Sequence, residues 1–287
     1  MISPNSFQAL HKGGDPMQSG EFIKIEPNVR LHIRDWGQGK TIVFIPGWPL
    51  SHEMYEYQFT QLPRHGYRCV GITLRGFGKS SKPWGEYNYD IFADDIYKVF
   101  ETLDLRDVTL AGHSMGGAIS LHYMARHKSE RVSKLALFGA AAPSFTRRPG
   151  FPYGLEPAAV DGFIKVCGED RAKLNEDFGK IFFRSQNTVS PKLGEWFHNM
   201  GMEASSHATA ACLVALRDSD LRDDLSRVIV PTVIFHSEQD KICPIELAEA
   251  MKEGIKGSKL IRFKNSGHGL FYEEKDKFNT EIMNFVG

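Results

Sequence analysis

Five stretches of the chain are apolar without alternation: Thr41 to Ile45, Cys69 to Leu74, Val108 to Ala111, Leu135 to Gly139 and Val230 to His236. Such runs mark strands buried on both faces of a parallel sheet, because helices on either side leave no face for polar residues. Between them lie helical patterns. The clearest is Tyr89 to Leu105, where Ile91, Phe92, Ile96, Val99, Phe100 and Leu103 recur at three- and four-residue steps. Two β-rich segments, Phe22 to Ile25 and Val29 to Arg34, flank Pro27-Asn28 and predict an opening hairpin. Lys259 to Phe263 adds a late strand and Lys275 to Phe285 a terminal helix. The alternation predicts an α/β fold with a mostly parallel central sheet flanked by helices.

One segment breaks the series. Pro143 to Asp224 carries Pro- and Gly-rich turns (Pro149-Gly150, Pro152, Gly154, Pro157) and helical patches rich in Phe, Met and Trp, with no strand run. The expected organisation is a loose N-terminal extension over residues 1–20, a core made of 21–142 and 225–287, and a helical cap inserted at 143–224. The aromatics of the insertion, Phe178, Phe182, Phe183, Trp196 and Phe197, are candidates either for packing or for a pocket wall. Trp196, Phe197 and Met200 are taken as pocket residues. The cap is expected over the carboxyl ends of the strands, where α/β sheets bind ligands.

Composition narrows the function classes. Lys plus Arg and Asp plus Glu are both 35, and 41% of the 287 residues are apolar, as in ordinary globular proteins. Zero net charge offers no sustained basic field for nucleic acid or anionic lipid, so neither partner is expected. The four cysteines, Cys69, Cys167, Cys212 and Cys243, form no CxxC pair, which fits a reducing compartment and argues against a metal cluster. The first 20 residues contain no apolar core of a secretory signal, and the longest apolar run is far shorter than the ~20 residues of a membrane span. A cytoplasmic protein acting on a small molecule is expected.

The chemistry concentrates in loops that follow strands. Gly112-His113-Ser114-Met115-Gly116 lies between the Val108 to Ala111 strand and a helical stretch from Ala118 to His127. A serine on so sharp a turn needs small neighbours two residues away on each side, and the helix that begins there aims free N–H groups and its positive end at a developing oxyanion. Ser114 is therefore the candidate nucleophile. A serine hydroxyl attacks only with a histidine base, which a carboxylate must orient. Of the 11 histidines, His268 in Ser266-Gly267-His268-Gly269 is the best placed, since flanking glycines let the loop return over the sheet. His113 and His236 read as structural, and His52, His122 and His127 as solvated or capping residues. Asp240, after the Val230 to His236 strand, is the candidate acid, with Glu238 as its rival. The Ile45-Pro46-Gly47-Trp48-Pro49 loop should supply a second oxyanion donor, so the backbone N–H groups of Trp48 and Met115 are the expected pair, with the Trp48 ring at the pocket edge.

These motifs carry a resemblance. Together with Arg75-Gly76-Phe77-Gly78-Lys79-Ser80, Lys82-Pro83-Trp84 and Ile229-Val230-Pro231-Thr232, the chain from about residue 20 onward resembles the α/β-hydrolase superfamily, and within it the aryl esterases and cofactor-free haloperoxidases or perhydrolases. The order serine, acid, histidine is that of the superfamily. The resemblance implies hydrolysis of esters or lactones, acyl-homoserine lactones among them, through an acyl-enzyme on Ser114. It also implies weak peracid formation and no cofactor or metal. Epoxide hydrolases and haloalkane dehalogenases carry aspartate at the elbow and are disfavoured by Ser114. Carbon–carbon bond hydrolases share the triad and stay open, as does a non-catalytic ligand sensor, which turnover of a chromogenic ester would separate from an enzyme.

Overall fold

The structure, a computed structural model, describes residues 21–185 and 187–287. The expected 1–20 extension lies outside them. The strands are β1 (Phe22–Glu26), β2 (Val29–Trp36), β3 (Lys40–Ile45), β4 (Tyr67–Ile72), β5 (Val108–His113), β6 (Val132–Phe138), β7 (Thr232–Ser237) and β8 (Lys259–Phe263). They form one sheet in the order β1-β2-β4-β3-β5-β6-β7-β8. β3 to β8 run parallel, while β2 is antiparallel to both β1 and β4. The predicted hairpin is thus the antiparallel edge. Burial follows the expected logic: every residue of β5 and β7 is buried, whereas β1 and β8 at the edges alternate or stay partly exposed. β7 starts two residues later than the apolar run, because Pro231 has no N–H to give a neighbour and contributes only its carbonyl, to the Leu135 N–H.

The helices of the core are α1 (Glu56–Gln61), α2 (Tyr89–Thr102) and α3 (Met115–Arg126). Asn88 starts α2 by accepting the Ile91 N–H at 3.0 Å, and its Phe92, Ile96, Val99 and Phe100 face is buried. Between β6 and β7 come α4 (Pro157–Glu169), α5 (Arg171–Phe182), α6 (Pro191–Met202), α7 (Ser206–Asp218) and α8 (Arg222–Leu225). Pro157 and Pro191 sit in first turns, and Asp170, Ser190 and Ser205 cap α5, α6 and α7 with side-chain oxygens. α9 (Ile245–Gly254), α10 (Leu270–Glu273) and α11 (Lys275–Val286) complete the chain, and Phe278 of α11 meets Phe138 and Phe235 of the sheet edge-on and Phe263 at a tilt. No helix among the described residues is long and apolar enough to cross a membrane.

The chain moves from β3 outward to β4, then returns to place β5 on the other side of β3. Such a reversal of strand order is where open α/β sheets place a crevice at the carboxyl edge. Ile45 pairs with Gly112, so the loops after them start side by side.

Two charged groups hold the surroundings. Arg75, in the loop after β4, donates from Nε and Nη2 to the two oxygens of Asp95 on α2, at 2.6 and 2.5 Å, and from Nη2 to Glu26 at 2.6 Å. The Arg75 and Asp95 side chains are 7% and 4% exposed. Asp95→Ala would leave the buried guanidinium with only the half-exposed Glu26 as its partner, and we expect a loss of about 3 kcal/mol in chemical denaturation. His122 is not the solvated residue expected from the sequence. Its Nδ1 meets Asp224 of α8 at 2.7 Å and its Nε2 meets Asp90 of α2 at 2.6 Å, because α8 folds back onto α3. Burial opposes charge on this ring, but the two carboxylates outweigh it and raise its pKa. A raised folded-state pKa stabilises fully below the unfolded value of about 6.5 and ceases to as pH climbs through the folded value. The melting-temperature deficit of His122→Gln should therefore be larger at pH 6 than at pH 9.

Candidate active site

Ser114 joins β5 to α3 with φ 54° and ψ −120°, a conformation L-residues rarely adopt. Neighbours pin it. Its N–H donates to Phe138 O at 2.9 Å, and its own carbonyl accepts from Gly117, Ala118 and Ala141 at 3.0–3.1 Å. A Cβ on Gly112 would run into the Gly116 carbonyl, and one on Gly116 into the carbonyls of Ile45 and Pro46. The elbow can thus close only with glycine on both sides, and it packs backbone to backbone against the loop after β3. In that loop a Cβ on Gly47 would come within 2.9 Å of Ser114 Cβ. Trp48 is 6% exposed, and its indole N–H donates to Thr209 O of α7 at 3.0 Å. Among the described residues neither the Trp48 nor the Met115 backbone N–H has a hydrogen-bond partner, so both donors are open.

Asp240 and His268 meet behind the elbow. Asp240 Oδ1 accepts the Ile242 and Cys243 N–H groups at 2.8 and 2.9 Å, and Oδ2 accepts from His268 Nδ1 at 2.7 Å. Both side chains are wholly buried. Burial opposes ionisation of Asp240, but the His268 ring and the donated N–H bonds outweigh it and hold the carboxyl below its ordinary pKa. With Nδ1 committed to Asp240, His268 presents Nε2 as a lone pair, and that atom has no partner among the described residues. Ser114 makes no hydrogen bond to it here. Glu238, the rival acid, is exposed and faces Arg262 at 3.9 Å.

Two further histidines act as struts. His113 donates Nε2–H to His268 O at 2.9 Å, and His236 donates Nε2–H to Cys243 O at 2.8 Å. Burial keeps both neutral. Their structural role matches the expectation. His52 departs from it, being fully buried with Nδ1 on Thr73 Oγ1 at 2.7 Å. Ligand atoms of His32, His52 and Glu53 lie within 4.8 Å of one another. The Lys79 ammonium, 3.8 Å from Glu53, already balances that carboxylate and opposes a dication there.

Beside Ser114 opens a cavity of about 330 Å³, within the range of small-molecule sites. Trp48 and Ile242 wall it on the sheet side. Phe163 of α4, Leu174, Phe178 and Ile181 of α5, and Leu213 and Leu216 of α7 wall it from above, with Phe145 and Leu155 between and Asp177 and Lys241 as its charged groups. A wider groove of about 710 Å³ runs between α5 and α6, but it is lined by Lys173, Glu176, Lys180 and Glu195 and does not reach Ser114.

Of the expected pocket residues the structure brings only Trp48 to the cavity. Trp196, Phe197 and Met200 belong to α6, which packs behind α5: Phe197 and Met200 are 7% and 2% exposed, and Phe197 meets Phe182, Phe183 and Phe271. The wall is α5, whose Leu174, Asp177, Phe178 and Ile181 share one face at three- and four-residue steps. That spacing was present in the sequence, but nothing local ranks the α5 face above the α6 one. We expect Phe178→Ala or Ile181→Ala to change the preferred length of ester substrate with little effect on melting temperature. Phe197→Ala should cost about 3 kcal/mol or more in stability and leave the substrate ranking unchanged.

Comparison with known proteins agrees with this geometry. A family profile described as the alpha/beta hydrolase fold matches residues 40–275. The chain is 50% identical over 266 residues to the AB hydrolase superfamily protein YisY of Bacillus subtilis, covering 93% of this chain and 98% of that one. Among solved structures it is similar to an esterase from Exiguobacterium antarcticum, at TM-score 0.90 and 44% identity over 93% of this chain and 99% of that one. A bromoperoxidase from Bacillus anthracis aligns at TM-score 0.89 and 34% identity, over 92% and 98% of the two chains.

Proposed function

The chain belongs to the α/β-hydrolase family, and from that premise we propose that it cleaves carboxylic esters or lactones through an acyl-enzyme on Ser114. The observation that carries this reading is the buried Asp240–His268 hydrogen bond, which commits Nδ1 to the carboxylate and leaves His268 Nε2 unpartnered. In the reaction Ser114 Oγ gives its proton to Nε2 as the oxygen attacks the carbonyl carbon. Contacts of this kind tighten when substrate is present. Asp240 holds the ring in the tautomer that accepts and stabilises the imidazolium that results. The oxyanion is met by the Trp48 and Met115 N–H groups and the N-terminus of α3. His268 then protonates the departing alkoxide, and a water activated by the same ring releases the acid. No step draws on a cofactor.

The apolar cavity wall suits a neutral ester or lactone with an apolar arm; an acyl-homoserine lactone is one such compound. In this reading 143–224 is a cap whose α4, α5 and α7 shape that arm's site. Four free, buried cysteines support a cytoplasmic setting. The likeness to a bromoperoxidase favours one secondary reaction, in which hydrogen peroxide replaces water on the acyl-enzyme and a peracid leaves. Ser114→Ala should fold normally and lose ester turnover by roughly four orders of magnitude or more, and Asp240→Asn should lose about as much. Chromogenic esters measure both, and near-normal turnover by folded Ser114→Ala protein would end the proposal.

A further inference from the structure

We infer that Glu273 is a positioning residue that couples the helical segment over the cavity to the seating of His268. The inference rests on the reading of His268 as the base. Glu273 closes α10, five residues beyond His268, and its two carboxylate oxygens face opposite ways. Oε2 accepts the Gly267 N–H at 2.7 Å, next to His268 in the chain. Oε1 accepts the Arg184 N–H at 2.9 Å and the Thr188 hydroxyl at 2.5 Å, both beyond the end of α5. The neighbouring Glu274 holds the rest of the loop, taking the Asn265 N–H and the Ser266 hydroxyl at 2.9 and 2.8 Å.

The same two segments touch on the other side of His268. Gly269 N–H donates to Phe182 O at 3.1 Å, and the Phe182 ring stands edge-on to the His268 ring at 5.3 Å. A Cβ on Gly267 would come within 2.5 Å of Arg184 N, and one on Gly269 within 2.6 Å of the Phe183 ring. The residues before and after His268 are therefore both fastened to the stretch that follows Phe178 and Ile181, the α5 residues lining the cavity. A substrate arm that presses on α5 bears on the histidine loop through this joint. The carboxylate suits the place because all three of its partners are donors.

Glu273→Gln keeps the shape but turns an NH₂ group toward at least one N–H or O–H donor, which opens one side of the joint. We expect kcat to fall about 10- to 100-fold, the scale of a small misplacement of a catalytic group, with KM changed less than about threefold. Thr188→Val loosens only the α5 side and should alter the ratio of activity on long and short esters while keeping acetate ester turnover near wild type. Wild-type kcat in folded Glu273→Gln overturns the inference. So does a loss of activity that parallels the melting temperature and disappears in assays run well below it, or an unchanged chain-length ratio in Thr188→Val. Ser114→Ala in the same assays separates the two levels: if it turns ester over, the reading of the triad fails, whatever Glu273 does.

Discussion

The site depends on one steric constraint, the left-handed turn at Ser114. A serine at φ 54° is costly unless its surroundings over-determine it, and here they do, through four backbone hydrogen bonds and two glycines that leave room for only backbone on either side. The same closeness welds the turn to the loop after β3, because Gly116 fits under Ile45 and Pro46 and Gly47 fits against Ser114. That contact is possible because β3 and β5 are neighbours at the point where the chain reverses its order across the sheet. The open N–H groups of Trp48 and Met115 follow from it. The crevice, the place of Ser114 on the cavity wall and the proposed oxyanion donors are consequences of a single packing decision.

Around that turn the polar groups are tied to one another. A fully buried carboxylate is expensive, and Asp240 is made tenable by three donors, two of them backbone groups of its own turn and the third His268. His113 and His236, kept neutral by burial, tie down the carbonyls of His268 and Cys243 without adding positive charge that would compete for Asp240. Among the described residues the site keeps three unpartnered ring nitrogens, His113 Nδ1, His236 Nδ1 and His268 Nε2. Only the His268 ring is hydrogen-bonded through its other nitrogen to a carboxylate, which would stabilise it once it takes up a proton.

Much of this was legible in the sequence, for physical reasons. Buried parallel strands are apolar on both faces, so β3, β4, β5, β6 and β7 announced themselves, and the elbow did so because its glycines are sterically obligatory. Asp240 and His268, which the structure pairs, stood out because strand-end loops are short and few residues in them can do the proposed chemistry. Boundaries slipped where one backbone atom decides, as at Pro231. The rest depended on which surfaces meet. The α5 and α6 faces carry similar apolar residues, and only the stacking of α6 behind α5 makes Phe178 a wall and Phe197 a filler. His122 looked solvated until α8 brought Asp224 to it. Glu273 and Thr188 lie 85 residues apart, and no local pattern joins them.

The central claim, that Ser114 is the one nucleophile, is tested most directly by stoichiometric labelling with a fluorophosphonate followed by peptide mass spectrometry. The account predicts one phosphonyl group per chain, carried by Ser114, with ester turnover vanishing in proportion to labelling. Label on another residue, or turnover that survives complete labelling of Ser114, would contradict it.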